Sequence, residues 1–195
     1  TVTPVNDAPV VDATASQTIN EDSSLTLTLS ASDVDGDNLT FSASSDSGSA
    51  TVDGSTLTVT PAADFNGDLE VTVSASDGDL EGSSSFTLTV TPVNDAPVVD
   101  AIDSQTVAED SSLTLELSAS DIDGDLTTFG VYVDSGSATV DGSTLTVIPD
   151  TDFNGDIEVT VSANDGTLSG TTSFTLTVTS VNDAPVIASI SDQAI

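Results

Sequence analysis

The chain has 195 residues, with 33 acidic side chains and no Lys, Arg or His, for a formal net charge of −33. That balance excludes nucleic acid as a partner, because phosphate contacts need cationic side chains, and it disfavours anionic membrane surfaces. With no Cys and no His, the usual ligand sets for zinc, copper and iron–sulfur centres are missing, which leaves hard oxygen ligands suited to calcium or magnesium.

The repeat sets the order of the elements. Val5-Asn6-Asp7-Ala8-Pro9-Val10 recurs at residues 93–98 and again at 181–186, 88 residues apart each time, and about three-quarters of the paired positions are identical. Residues 1–4 read as the end of a preceding repeat, 5–92 as a first repeat, 93–180 as a second, and 181–195 as the start of a further, truncated one. The chain is expected to be an excerpt of a longer array. High charge with few aromatics can signal disorder, but 36% of the residues are hydrophobic and they alternate with polar ones, which a solvated coil has no reason to do.

Within the first repeat the pattern predicts seven strands. The first lies near 10–19 and is interrupted. The second, over 24–32, sets Leu25, Leu27, Leu29 and Ala31 against Thr26, Thr28, Ser30 and Ser32, one apolar and one hydroxyl face with a period of two. The third spans 39–44 and the fourth 49–53. Asp53-Gly54 then signals a hairpin into the fifth, 56–60. The sixth spans 69–76 and the seventh 84–91. Nothing has helical spacing. Seven short strands in under 90 residues predict an all-β fold, two tandem Greek-key, immunoglobulin-like sandwiches, with Leu27, Phe41, Leu57, Val71, Val73 and Leu88 in the core. The Val-Asn-Asp-Ala-Pro segment is the predicted linker, short and stiffened by Pro9 or Pro97.

The acids concentrate in loops. Two carboxylates ~4 Å apart repel by about 1 kcal/mol in bulk water and about 4 kcal/mol at an effective dielectric of ~20. A cluster of three or more must be solvated, protonated or bound to a cation. Sandwich topology places Asp33-Val34-Asp35-Gly36-Asp37 and Asp77-Gly78-Asp79 at one end of the repeat, beside the incoming linker residues Asn6 and Asp7. Glu21-Asp22 and Asp64-Phe65-Asn66-Gly67-Asp68 fall at the other end, beside the outgoing Asn94-Asp95. Glu21, Asp64, Asn94, Asp95, Asp121, Asp123 and Asp165 are thus expected to meet where the two repeats join. Glu109, Asp152, Asn182 and Asp183 are their counterparts one repeat on. Calcium, which takes 6–8 oxygens in irregular geometry, suits such a set better than magnesium. Asp33 to Asp37 is not an EF-hand loop, since Ser44 stands where the bidentate Glu belongs. Asp53, Asp141, Asp46 and Asp134 read as turn residues, and Phe65 and Phe153 as plugs for the lower core.

These residues resemble the cadherin-like tandem repeats of giant bacterial surface adhesins, the extender regions of the RTX, type I-secreted class. The family's Glu before the second strand is similar to Glu21 and Glu109. The second acid of its Asp-x-Glu pair falls on Asp64 and Asp152, while the first falls on Ala62 and Asp150, so the first repeat departs there. Its Asp-x-Asn-Asp-Asn linker is similar to Asn94-Asp95, with Pro92 in place of the first Asp. Its Asp-x-Asp matches Asp121 and Asp123, and its later lone Asp matches Asp165. The resemblance implies calcium bound between successive repeats, an extracellular, cell-surface location and a stalk-like structural role, with a homophilic or glycan-binding module as the alternative. The partners expected are neighbouring repeats of the same chain, with no membrane insertion, in a monomeric protein. Catalysis is not expected. Paired carboxylates serve glycoside hydrolysis, but there is no Trp, only one Tyr, and no His, Cys or Lys to act as base or nucleophile.

Overall fold

A computed structural model describes residues 5–125 and 127–185; the two end segments expected to belong to neighbouring repeats lie outside them, except for 181–185. The chain divides between Val93 and Asn94 into two compact units. In the first unit the strands are β1 (Val10–Val11), β2 (Gln17–Asn20), β3 (Leu25–Thr28), β4 (Ala31–Ser32), β5 (Thr40–Ser45), β6 (Ser49–Asp53), β7 (Thr56–Thr60), β8 (Gly67–Ser76) and β9 (Glu81–Thr91). In the second they are β10 (Val98–Val99), β11 (Gln105–Ala108), β12 (Leu113–Glu116), β13 (Ala119–Ser120), β14 (Thr128–Val133), β15 (Ser137–Asp141), β16 (Thr144–Ile148), β17 (Gly155–Asn164) and β18 (Ser169–Thr179). The all-β, two-domain expectation holds. Among the described residues no helix is long and apolar enough to cross a membrane.

Each unit stacks a four-stranded sheet, β2-β9-β8-β5 in the first, on a three-stranded one, β3-β7-β6. All pairings are antiparallel except β2 with β9 and, in the second unit, β11 with β18, which run parallel. The first predicted strand is split because its two halves pair with different strands, the first half forming a separate two-stranded sheet with β4. Val10 and Val11 pair with Ser32 and Ala31 of β4, and the chain then crosses over so that Gln17–Asn20 pair with Leu88–Thr91. The second strand bends at Leu29 and Ser30. The Leu29 N–H donates to Ser55 O at 2.8 Å, while Ser30 O accepts from Asp12 N–H at 2.9 Å, so the strand changes partner at this point.

Alternation decides which side chains meet. Leu69, Val71, Val73 and Ala75 of β8 point inward with Phe86, Leu88 and Val90 of β9, and Leu57 and Val59 of β7 face them. Most are fully buried, each stabilising by about 1.5–3 kcal/mol over exposure. Of the predicted core, Leu57, Val71, Val73 and Leu88 are buried, whereas Leu27 and Phe41 are half-buried at its margin. The second unit repeats the arrangement around Leu145, Val147, Ile157, Val159, Val161 and Leu176. Phe65 and Phe153 pack partly buried against their cores. The fourth and fifth strands form the expected hairpin. Its two central residues are Gly54 and Ser55, and Gly54 at φ 60° takes the position that demands a left-handed backbone.

Candidate functional site

In both units the acids expected as ligands lie in the loops, and linker residues bond to them. At the upper end of the first unit, the loop after β4 folds around Asp33. Its Oδ1 accepts from the N–H groups of Asp35 at 2.8 Å, Gly36 at 3.0 Å and Asp37 at 3.4 Å. In the second unit, Asp121 Oδ1 accepts from Asp123 N–H at 3.0 Å and Asp125 N–H at 3.4 Å. The other carboxylate oxygen, Oδ2 of Asp33 and of Asp121, is shielded from water and has no hydrogen-bond donor among the described residues. Asp77 Oδ1 closes the four-residue turn between β8 and β9 by accepting from Asp79 and Leu80 N–H, both at 2.7 Å.

The linker residues dock on this frame. Asn6 Nδ2 donates to Asp77 Oδ2 at 2.9 Å, and Asp7 N–H donates to Asp35 Oδ2 at 2.9 Å. In the second unit Asn94 Nδ2 reaches Asp165 Oδ2 at 2.8 Å, and Asp95 N–H reaches Asp123 Oδ2 at 2.8 Å. These donors stabilise the ionised carboxyls. Asp77 is held below the ordinary value of 3.8 by the Leu80 and Asp79 N–H groups and then by Asn6. Asp165 is held below it first by Asn94 and then by the Leu168 and Thr167 N–H groups.

At the lower end the two adjacent acids of each unit part company. Glu21 and Glu109, expected as ligands, are buried. Glu21 Oε1 accepts from Val93 N–H and Glu109 Oε1 from Val181 N–H, which straps the outgoing linker to its own unit. Their neighbours Asp22 and Asp110 face outward. Asp64 N–H donates to Asp22 Oδ1 at 3.2 Å, and Asp152 N–H to Asp110 Oδ1 at 3.4 Å. All four of these aspartates have left-handed backbones, with φ of 55–62°, a region Asp tolerates better than most residues. In the second unit, carboxylate oxygens of Asp110, Asp152 and Asp183 lie within 4.8 Å of one another. Asn182 turns its amide to Asp183 O at 3.1 Å instead.

The expected ligands therefore assemble as follows. Asn6, Asp7, Asp33, Asp35 and Asp77 share the upper end of the first unit. Asn94, Asp95, Asp121, Asp123 and Asp165 share that of the second. Asp152 and Asp183 meet below, with Asp110. Glu21 and Asp64 belong to the first unit. The sequence reading left out Asp22 and Asp110; the one signal was their place next to a glutamate in a loop that alternation does not order. Asp150, the residue matching the first acid of the cadherin-like pair, accepts from Ser135 Oγ at 3.4 Å and Gly136 N–H at 3.3 Å. Asp46 and Asp134 do more than turn the chain, since they accept from the N–H groups of Glu70 and Glu158 at 3.1 and 3.0 Å.

Among solved structures, the human protocadherin-24 EC1-2 fragment superposes with a TM-score of 0.53 at 17% identity, covering 89% of this chain and 100% of that one. An endo-fucoidan hydrolase of glycoside hydrolase family 107 aligns with a TM-score of 0.41 at 22% identity over 93% of this chain, which spans only 30% of the hydrolase. The Drosophila N-cadherin EC1-3 fragment aligns with a TM-score of 0.40 at 13% identity, covering 90% of this chain and 69% of that one. The first likeness bears out a cadherin-like fold. No curated protein matches the sequence. The family described as Bacterial Ig domain matches residues 6–91 and 94–179. The chain belongs to that family, as two tandem bacterial Ig domains.

Proposed function

We propose that the chain is a calcium-rigidified extender, a stretch of stalk from a bacterial cell-surface adhesin that carries a distal ligand-binding domain away from the cell. The observation that carries this reading is the orphaned, shielded oxygen of Asp33 and of Asp121. A buried acceptor left without a donor costs about 1–3 kcal/mol, and more when charged. The sequence holds no cationic side chain to relieve it. A hard divalent cation relieves it, and the donors around it fit one. They are carboxylate and amide oxygens only, numerous and irregularly placed, as calcium accepts.

Asp33, Asp35 and Asp77, with Asp121, Asp123 and Asp165 in the second unit, would hold the ion at the upper end. Asp110, Asp152 and Asp183 would hold one below. When bound, the ion supplies positive charge and nothing else; the reaction classes excluded by the residue inventory stay excluded, and we propose no enzyme. The linker aspartate supports coupling between units. Asp7 and Asp95 join the upper loops through their N–H groups. The repeat-equivalent Asp183 joins the lower acids through its carboxylate. One residue type thus has a use at either end of a unit. Loss of the ions would free the linker by repulsion among its neighbours. An extracellular, calcium-rich setting and a monomeric chain belong to this reading.

Small-angle scattering of the two-unit chain tests it. Calcium should lengthen and narrow the distance distribution relative to chelator, and sodium at matched ionic strength should not. Equal curves in calcium and in sodium would sink the proposal. A second reading, an adhesive module in its own right, has one observation in its favour. Tyr132 is 68% exposed on the outer face of β14, where the first unit has Ser44. Glycan-array binding lost on Tyr132→Ala would support it.

A further inference from the structure

We propose that Gly82 and Gly170 are positioning residues that seat the linker, and through it the upper acids, on each unit; the proposal rests on the extender reading for its metal readout alone. A Cβ built on Gly82 would lie 1.8 Å from the Pro9 carbonyl oxygen and 2.9 Å from its carbon. On Gly170 it would lie 1.8 Å from the Pro97 oxygen and 3.0 Å from its carbon. Neither glycine has a left-handed backbone, so what each supplies is space. Both stand in regular ladder positions at the start of a strand, Gly82 opposite Ala75 and Gly170 opposite Ala163, where alanine would keep the sheet hydrogen bonds.

The contact ends on the prolines, and the prolines fix the linker. Pro9 and Pro97 are buried while the residues on either side of each are exposed. The seat therefore grips one carbonyl and one ring. Asp7 and Asn6 follow within three residues upstream, with their bonds to Asp35 and Asp77 at 2.9 Å. Ordinary contact begins at 3.4 Å, so a methyl group at the glycine must drive the carbonyl back by well over an ångström. Hydrogen bonds of 2.8–2.9 Å from the next residues do not survive such a shift. Asp165 Oδ2 would lose the hydrogen bond it accepts from the Asn94 amide.

Hydrogen exchange at the Asp7 and Asp95 amides, which donate to Asp35 and Asp123, reads this directly in the calcium-free chain. Gly170→Ala should speed exchange at Asp95 roughly 10-fold or more and leave Asp7 unmoved. Gly82→Ala should speed Asp7 and leave Asp95. Calcium affinity at the affected end should fall roughly 10-fold, with the sheet amide spectrum retained. Unchanged exchange at Asp95 in folded Gly170→Ala overturns the proposal. Unfolding of both glycine variants overturns it too, since the glycines would then serve the sheet and not the linker. If the wild-type chain binds no calcium, the extender reading fails, yet the two exchange rates still decide whether the glycines seat the linker.

Discussion

Glu109 turns its carboxylate inward, where Oε1 takes the backbone N–H of Val181, 72 residues further along the chain, and the side chain keeps only 6% exposure. The Glu109 N–H meanwhile donates to Thr179 O at 2.9 Å, so one residue holds the end of β18 by backbone and by side chain. Two roles then separate by substitution. Glu109→Ala removes the charged acceptor of the Val181 N–H and should destabilise the second unit by about 1.5–3 kcal/mol in chelator. Glu109→Gln keeps a carbonyl oxygen in place and should cost less in chelator. If the second oxygen also serves an ion, Gln should still weaken calcium binding. Urea melts of both variants with and without calcium check this.

The upper acids give a pH signature with a definite sign. Asp165 has a folded pKa below the ordinary 3.8, chiefly through Asn94. A depressed folded pKa contributes stability that is fully present above the unfolded value and lost as pH falls through the folded one. The stability gap between the wild-type chain and Asn94→Ala should therefore be constant from neutral pH down to about pH 4 and should close below it. Comparing the two chains cancels the relief of general repulsion that acid gives a protein of net charge −33. Asn6→Ala should move Asp77 less, because the Leu80 N–H, not Asn6, is the leading cause there. Chemical denaturation of both pairs from pH 7 to 2.5, in chelator, measures it.

The two-layer fold was largely legible because alternation is a strong signal wherever one face is buried. It faded where both faces are polar. The seventh strand was expected to begin at residue 84 and begins at Glu81, since Glu81-Gly82-Ser83-Ser84-Ser85 shows no alternation while the β8–β9 ladder carries on to the pair Ser76–Glu81. Register in the site loops was illegible for a related reason. Glu21 and Asp22 look interchangeable as letters, and only the left-handed φ of 57° at Asp22 sends one carboxylate to the strap and the other outward. The close approach that requires Gly82 leaves no trace in sequence at all.

Burial grades the core more finely than pattern does. Leu88 is fully buried between the sheets, whereas Leu27 is half-buried at the margin on an edge strand. Leu88→Ala should cost about 2–5 kcal/mol by removing buried methyl groups and leaving a cavity, and Leu27→Ala distinctly less. Neither side chain lies at an ion site, so each loss should be the same in calcium and in chelator. Equal losses for the two variants in thermal melts would contradict this account of the core.

Asp121 offers the sharpest separation of charge from shape. Its Oδ2 is shielded and has no donor among the described residues, so without an ion the folded state carries an unrelieved anionic oxygen. Asp121→Asn removes the charge at nearly constant volume while Oδ1 keeps its acceptor role toward Asp123 and Asp125. In chelator the variant should therefore melt higher than the wild-type chain. In calcium the order should invert, because an ion at 100 times its dissociation constant stabilises the wild type by about 2.7 kcal/mol and the amide forfeits much of that. The crossing of the two melting curves with calcium concentration is the measurement. If the variant melts lower under both conditions, Asp121 is a structural residue of its loop. If it melts higher under both, the aspartate is merely a strained anion with no ion to hold.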